Sequence, residues 1–193
     1  MRRRVRLFLW LLISAAGVSS TVAARPQGEG ALPPAATIVK PHGYVSLEPV
    51  PRGQKFEIAV VAEIRNGFHM NSNHPTDEFL IPTTLTIRLP QGMKQIEVVY
   101  PAGELKKFSF SDKPLSVYSG KVTLRVKMEA GADAPLGPQT IPMALRYQAC
   151  NDNTCLPPVK IPVEVKLQIA SAGSPARSTN PEIFSRQVTK RNQ

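Results

Sequence analysis

The side chains best suited to chemistry in this 193-residue chain are its only two cysteines, Cys150 and Cys155, which four residues separate. A disulfide between them would close a very short loop, and such a bridge contributes only roughly 2 kcal/mol in the chain-entropy model. Its value as a crosslink is therefore small, and reversible thiol–disulfide exchange becomes a candidate function. The residues alone leave three alternatives open: an exchange pair, a structural clip across a hairpin, or a pair of metal ligands.

Alternating apolar residues flank the cysteine pair on both sides. They are Ile141, Met143, Leu145, Tyr147 and Ala149 before it, and Val159, Ile161, Val163, Val165, Leu167 and Ile169 after it. A period of two predicts two strands, and a short loop between them brings both sulfurs side by side. If the first strand continues, Cys150 faces away from the side that carries Ala149. We therefore predict a pair at the rim of the fold that another protein can reach.

The rest of the chain shows the same strand pattern. Apolar residues alternate with polar ones over residues 56–64, 85–89 and 122–128, and residues that form turns lie between these runs. No segment has the apolar spacing of an amphipathic helix. About seven short strands predict an all-β fold, an immunoglobulin-like two-sheet antiparallel β-sandwich.

The composition of both ends predicts the boundaries of the domain and its location. A basic start followed by an apolar run and small residues predicts a signal peptide over residues 1–24, cleaved near Ala24. We expect a disordered arm at 25–37, the sandwich domain at 38–170 and a disordered basic tail at 171–193. The location is then periplasmic or secreted, where disulfides persist.

The net charge of +10 falls to +6 when the four arginines of the signal peptide, Arg2, Arg3, Arg4 and Arg6, are removed. The remaining basic residues are scattered, and no aromatic residues alternate with them, so nucleic acid is not an expected partner. The chain has no glycine-rich phosphate loop and no His-Glu-x-x-His pattern. We expect neither a cofactor nor a resident metal.

The segment from Tyr147 to Pro158 reads Tyr-Gln-Ala-Cys-Asn-Asp-Asn-Thr-Cys-Leu-Pro-Pro. It resembles the active-site hairpin of the N-terminal periplasmic domain of DsbD, the thiol:disulfide interchange protein. The resemblance implies an immunoglobulin-like sandwich and an exchange function that needs no cofactor, because the cysteine pair carries the electrons. It also implies that Cys150 forms the mixed disulfide with the partner and that Cys155 resolves it.

The same resemblance implies two kinds of partner. The pair would receive electrons from a membrane-embedded thiol reductase of the DsbD or CcdA type and pass them to periplasmic thioredoxin-fold proteins, including those of cytochrome c biogenesis. Full-length DsbD continues into membrane helices and a thioredoxin-like domain, whereas the printed sequence ends in a short basic tail. We therefore expect the electron donor to be a separate protein.

In the family, an aromatic cap loop shields the cysteines until a partner displaces it. The matching residues are Phe108 and Phe110, with the alternative that one or both belong to the core of a strand. Phe68, His69 and Tyr147 are the other residues that we expect to line the site.

Two other functions remain open from the sequence. One is a non-enzymatic secreted β-sandwich that acts as a binding module, in which the disulfide is structural. The other is a copper-handling protein, because soft ligands such as Cys, Met70 and the histidines His69 and His74 suit Cu(I). We predict instead that both histidines lie in a polar loop near the cysteines.

Overall fold

The computed structural model describes residues 32–185. The predicted signal peptide, the first part of the predicted arm and residues 186–193 lie outside this range. In chain order the strands are β1 (Val39–Val45), β2 (Leu47–Glu48), β3 (Val50–Pro51), β4 (Lys55–Ile64), β5 (His69–Asn71), β6 (Thr84–Ile87), β7 (Met93–Val99), β8 (Glu104–Lys106), β9 (Leu115–Ser119), β10 (Lys121–Ala130), β11 (Gly137–Tyr147), β12 (Ala149–Cys150), β13 (Val159–Ala170) and β14 (Arg177–Ser178). A 3-10 helix spans Ala35–Thr37 and a short α-helix, α1, spans Pro181–Phe184.

Two four-stranded sheets form the main sandwich. The first has the order β1-β4-β10-β7 and is antiparallel throughout. The second has the order β3-β13-β11-β6 and is antiparallel except for the short pair of β3 with β13. The longest strands, β4, β10, β11 and β13, coincide with the strongest alternating runs. The predicted all-β, immunoglobulin-like sandwich is confirmed.

The core lies between these two sheets, because each turns an apolar face inward. Its fully buried members include Ile58, Val60, Leu124 and Val126 from the first sheet, and Ile141 and Leu145 from the second. Burying one such side chain contributes about 1.5–3 kcal/mol relative to leaving it in water. The packed core thus stabilises the sandwich, which carries the loops and short strands at its end.

A third sheet, which the alternation does not predict, carries the cysteine hairpin. Its order is β12-β5-β9-β8. The run predicted as one strand is divided at Gln148, whose side-chain oxygen accepts hydrogen bonds from Asn71 Nδ2 and Ile81 N, both of 3.1 Å. The Gln148 carbonyl also accepts a 3.2 Å bond from Asn71 N. The chain therefore leaves the second sheet at this residue, and β12 pairs with β5.

Part of the tail that the sequence predicts to be disordered, residues 171–185, is attached to the sandwich. Strand β14 pairs with β2. The Arg125 guanidinium donates hydrogen bonds to the carbonyl oxygens of Ile183, at 2.6 Å, and Phe184, at 3.1 Å. A cation at the C-terminal end of a helix satisfies carbonyls that have no partner within the helix. This contact joins residues far apart in sequence, so local composition gave no sign of it.

The described end of the predicted arm is also structured, since the 3-10 helix Ala35–Thr37 falls within it. Within residues 32–185, no helix combines the length and the apolar composition that a membrane crossing requires.

Candidate thiol–disulfide site

Cys150 and Cys155 form a disulfide, with their Cα atoms 3.9 Å apart, and they also face each other as an antiparallel bridge. The Asn151 side-chain oxygen accepts hydrogen bonds from the backbone nitrogens of Asn153, at 3.0 Å, and Thr154, at 2.8 Å. Asparagine favours turns because its side chain bonds to the backbone two residues further on. The predicted hairpin that places the two sulfurs together is confirmed.

The two cysteines differ in exposure. Cys150 is fully buried and Cys155 is partly exposed. The prediction that the whole pair lies at an accessible rim is therefore wrong for Cys150. The reason is that Cys150 lies directly opposite His69 of β5, and the His69 ring is stacked against Phe108. The face away from Ala149 is covered by protein and does not face water.

Residues 107–114, which we call the cap segment, connect β8 to β9 and cover this side of the site. Phe108 is 7% exposed, and its ring stacks on His69 with 4.1 Å between the ring centroids. Phe110 is 40% exposed and stacks on Phe108 at 5.4 Å. Phe108 belongs to a small apolar cluster separate from the main core, together with Leu80, Leu115 and Val117.

A hydrogen bond joins the cap segment to the cysteine hairpin. Ser109 Oγ donates to the carbonyl oxygen of Asp152 at 2.9 Å. Within the cap segment, Ser111 N donates to the Phe108 carbonyl at 3.2 Å, which makes a local turn. A hydrogen bond of this kind contributes about 0.5–1.5 kcal/mol net. The cap segment is thus held on the hairpin by a few contacts of modest strength.

His69 lies in strand β5 and is only 4% exposed, so the prediction that it belongs to a polar loop is wrong. Its Nε2 atom has no hydrogen-bond partner among the described residues. Burial lowers the pKa of His69 to about 4, since it disfavours the charged ring; Asp152 opposes this effect and Lys106 adds to it. The ring is therefore neutral at pH 7. His74, by contrast, is exposed in the loop that follows β5.

Phe68, His69 and Phe108, together with Asp152, line one depression of about 240 Å³. Phe68 is half-buried and also packs against the main core. The structure thus brings together three of the predicted lining residues, and Phe110 joins them through its stacking on Phe108.

Tyr147 is not part of this group. Its side chain is fully buried in the main core, and its hydroxyl donates a 2.7 Å hydrogen bond to the carbonyl oxygen of Ala35. It connects the end of β11 to the 3-10 helix. The neighbouring Gln148, which sequence reasoning did not select, makes the corner that sets the position of the hairpin.

The residues considered as copper ligands are not assembled. Met70 is fully buried in the main core, and adjacent strand residues point to opposite faces, so Met70 and His69 face different sides of the third sheet. His74 lies in the exposed loop. Across residues 32–185, no group of three or more His, Cys, Asp or Glu side chains is arranged to hold a metal ion.

Sequence reasoning also missed Ser109 and the Asp152 carbonyl as the contact between cap segment and hairpin. Nothing local signals this pair, since the two positions are 43 apart in the sequence and the acceptor is a backbone atom.

The family model described as "Thiol:disulfide interchange protein DsbD, N-terminal" matches residues 35–167. The chain belongs to this family. Membership in the DsbD N-terminal family and the Cys150–Cys155 disulfide together identify a component of thiol:disulfide interchange. The resemblance seen in the hairpin sequence is thereby confirmed.

The solved structures similar to the chain include the following three, and no curated protein matches it. The first is the complex of the DsbD N-terminal and PilB N-terminal domains from Neisseria meningitidis, with 15% identity, a TM-score of 0.38, and coverage of 63% of this chain and 80% of that one. The second is the N-terminal periplasmic domain of ScsB from Proteus mirabilis, with 10% identity, a TM-score of 0.44, and coverage of 73% and 50%. The third is a family 123 glycoside hydrolase from Clostridium perfringens, with 9% identity, a TM-score of 0.30, and coverage of 69% and 28%.

Proposed function

We propose that the chain relays electrons in the periplasm through the Cys150–Cys155 pair. The donor is a membrane-embedded thiol reductase of the DsbD or CcdA type, and the acceptors are thioredoxin-fold proteins, with cytochrome c biogenesis as one destination. Family membership supports the exchange chemistry, and the basic and apolar start of the sequence supports export to the periplasm with cleavage near Ala24.

The observation that carries this proposal is a disulfide that is covered on one side by a weakly held segment. Cys150 is buried, Cys155 is partly exposed, and the cap segment rests on the site through the Phe108–His69 stack and the Ser109–Asp152 hydrogen bond. A purely structural clip gains nothing from a separate aromatic cover. An exchange pair gains protection from unwanted thiols until a partner displaces the cover.

The difference in exposure favours Cys155 as the sulfur that meets the partner, which reverses the roles implied by the resemblance. In the reduced pair, the Cys155 thiolate attacks one sulfur of the partner disulfide, and the other partner sulfur leaves as a thiolate. The Cys150 thiol then loses its proton and attacks Cys155, which releases the partner as a dithiol. The partner has gained two electrons, and the Cys150–Cys155 disulfide has formed again.

The membrane reductase runs the same steps in the opposite direction. Its thiolate attacks Cys155, Cys150 leaves as a thiolate and takes up a proton, and the second thiol of the reductase then resolves the mixed disulfide. Because the pair itself stores the two electrons, the proposal includes no bound cofactor or metal.

The rival function is a binding module in which the disulfide is structural, and the reduction potential separates the two. We would equilibrate the protein with dithiothreitol redox buffers and count free thiols by alkylation and mass spectrometry. The relay predicts a potential above about −300 mV, whereas structural disulfides usually lie below that value. A potential well below it would contradict the relay and favour the binding module.

A further inference from the structure

His69 lies beside the disulfide, and one of its ring nitrogens accepts or donates no hydrogen bond among the described residues. Cys150 and His69 are directly opposite each other in the antiparallel pair of β12 and β5. The side chains of such a pair lie on the same face of the sheet, with Cβ atoms about 4.5–5.5 Å apart. The His69 ring is almost fully buried, and Nε2 has no hydrogen-bond partner among the described residues. A buried polar atom left in this way costs free energy and calls for an explanation.

The described groups around the His69 ring provide no hydrogen-bond partner for Nε2. Phe108 covers one ring face. Asp152 on the hairpin and Lys106 on β8 act on the charge of the ring, and Arg65, before β5, lines the same depression. Lys106 Nζ is already bonded to Ser119 Oγ at 2.8 Å and paired with Glu104 at 3.3 Å. The neighbouring side chain that exchanges a proton during the reaction is Cys150.

We propose that His69 is the acid–base residue of the exchange reaction, serving Cys150. Its Nε2 accepts the thiol proton when Cys150 attacks the mixed disulfide at Cys155, and it returns the proton when Cys150 leaves during reduction. This inference rests on the proposed function, because it assigns a proton acceptor to the resolving step of the relay.

The electron and proton balance of the resolving step is complete within these residues. The Cys150 S–H bond breaks, its proton goes to Nε2, and the sulfur electron pair forms the bond to Cys155. The bond between Cys155 and the partner breaks, and its electron pair leaves on the partner sulfur. The imidazolium then gives its proton to the departing thiolate or to water.

The cap segment links the proton transfer by His69 to the exposure of the disulfide to a partner. While Phe108 covers the ring, burial holds the pKa of His69 near 4, so His69 is a weak base. When Phe108 moves away, water reaches the ring, and the pKa returns toward the ordinary histidine value of about 6.5. The movement that uncovers the disulfide therefore also activates its base.

The thiolate fraction of Cys150 limits how much His69 can accelerate its attack on the mixed disulfide. A cysteine with an ordinary pKa of about 8.5 is only about 3% thiolate at pH 7, so full deprotonation accelerates its attack at most about 30-fold. A neighbouring imidazolium lowers cysteine pKa values to the range of about 3.5–7.5. We expect an acceleration on the order of 10-fold.

Ellman's reagent, 5,5′-dithiobis(2-nitrobenzoate), separates the two steps in the reduced full chain. Attack by Cys155 releases one coloured thiolate in a first, bimolecular phase, and attack by Cys150 on the mixed disulfide releases the second in a unimolecular phase. Stopped-flow traces of the wild type would be compared with those of His69→Phe, which keeps a ring against Phe108 but has no base. His74→Phe, the same change at an exposed histidine, is the matched control.

For His69→Phe we expect the second phase at pH 7 to slow roughly 10-fold, and its midpoint in a pH–rate profile to rise by at least about one pH unit toward 8.5. The first phase should change less than about 3-fold, and His74→Phe should match the wild type. An unchanged second phase with an unchanged pH profile would overturn the role of His69.

A second variant keeps the test valid if the phenylalanine disturbs the fold. His69→Gln places a polar group at the same position but provides no base at these pH values. A wild-type second phase in His69→Gln would overturn the inference, whereas a slow one supports it. An absent first phase in the wild type would instead contradict the proposed function, because Cys155 would then be out of reach.

Discussion

Ser109 Oγ donates a 2.9 Å hydrogen bond to the carbonyl oxygen of Asp152, and this bond ties the cap segment to the cysteine hairpin. Removing it with Ser109→Ala should cost the closed state about 0.5–1.5 kcal/mol, which is a factor of about 2 to 10 in the open population. Reduction of the disulfide by dithiothreitol, followed by alkylation and mass spectrometry, should accelerate by that factor. Ser111→Ala is the control, since Ser111 Oγ bonds within the cap segment to the Lys113 carbonyl. Equal rates for both variants would mean that the Ser109 bond does not hold the cap segment closed.

Phe108 should contribute more to closure than Phe110, because it is almost fully buried and touches His69, whereas Phe110 is 40% exposed. Burial of a phenylalanine side chain is worth about 1.5–3 kcal/mol. Phe108→Ala should therefore accelerate reduction by dithiothreitol about 10- to 100-fold. Phe110→Ala should change the rate by less than about 5-fold. If the larger effect came from Phe110→Ala, the cover would be built differently from the contacts described above.

The low pKa of His69 predicts a loss of stability in acid. In the unfolded chain the ring takes up a proton near pH 6.5, but in the folded protein only near pH 4. The stability that depends on a neutral His69 ring is therefore fully present above pH 6.5. As the pH falls from 6.5 to 4, the free energy of unfolding decreases by up to about 3 kcal/mol. Urea unfolding at pH 7.5, 5.5 and 4.5 should show this loss in the wild type.

The matched variant for this pH dependence is His69→Phe, which cannot take up the proton. As the pH falls from 7.5 to 4.5, the unfolding free energy of the wild type should decrease relative to that of His69→Phe. A constant difference from pH 7.5 to 4.5 would show that His69 titrates normally in the folded state.

Residue alternation was enough to predict the main sandwich, because β4, β10, β11 and β13 bury one face over their length. It was not enough to predict the third sheet. The strand that begins in the second sheet is divided at Gln148 by hydrogen bonds to Asn71 and Ile81, which are distant in sequence. Such polar contacts leave no periodic signal.

The same limit explains why only part of the site was predicted from the sequence. The cysteine pairing and the position of Phe108 beside it followed from local residue types and the family resemblance. The burial of Cys150 did not follow, because it depends on His69 and the cap segment lying over the hairpin. These are tertiary contacts, and strand phase alone gives only the direction of a side chain.

Tyr147→Phe tests whether Tyr147 acts at the site or only in the core. Losing its hydrogen bond to the Ala35 carbonyl should lower the free energy of unfolding by about 1 kcal/mol. The rate of disulfide reduction by dithiothreitol should stay within about 2-fold of the wild type, since the hydroxyl faces the 3-10 helix. A change of about 10-fold or more, which corresponds to roughly 1.4 kcal/mol, would return Tyr147 to the list of residues that act at the site.

In the proposed relay, Cys155 exchanges with a thioredoxin-fold partner and Cys150 resolves the mixed disulfide. This assignment is tested by incubating the reduced Cys150→Ser and Cys155→Ser variants with a thioredoxin-fold protein that keeps only its nucleophilic cysteine, activated as the mixed disulfide with 5-thio-2-nitrobenzoate, and identifying disulfide-linked species by intact mass. We predict a stable mixed disulfide through Cys155 in Cys150→Ser and little or none in Cys155→Ser. A mixed disulfide only in Cys155→Ser would contradict the assignment of the two sulfurs, and none in either variant would contradict the exchange function with this partner class.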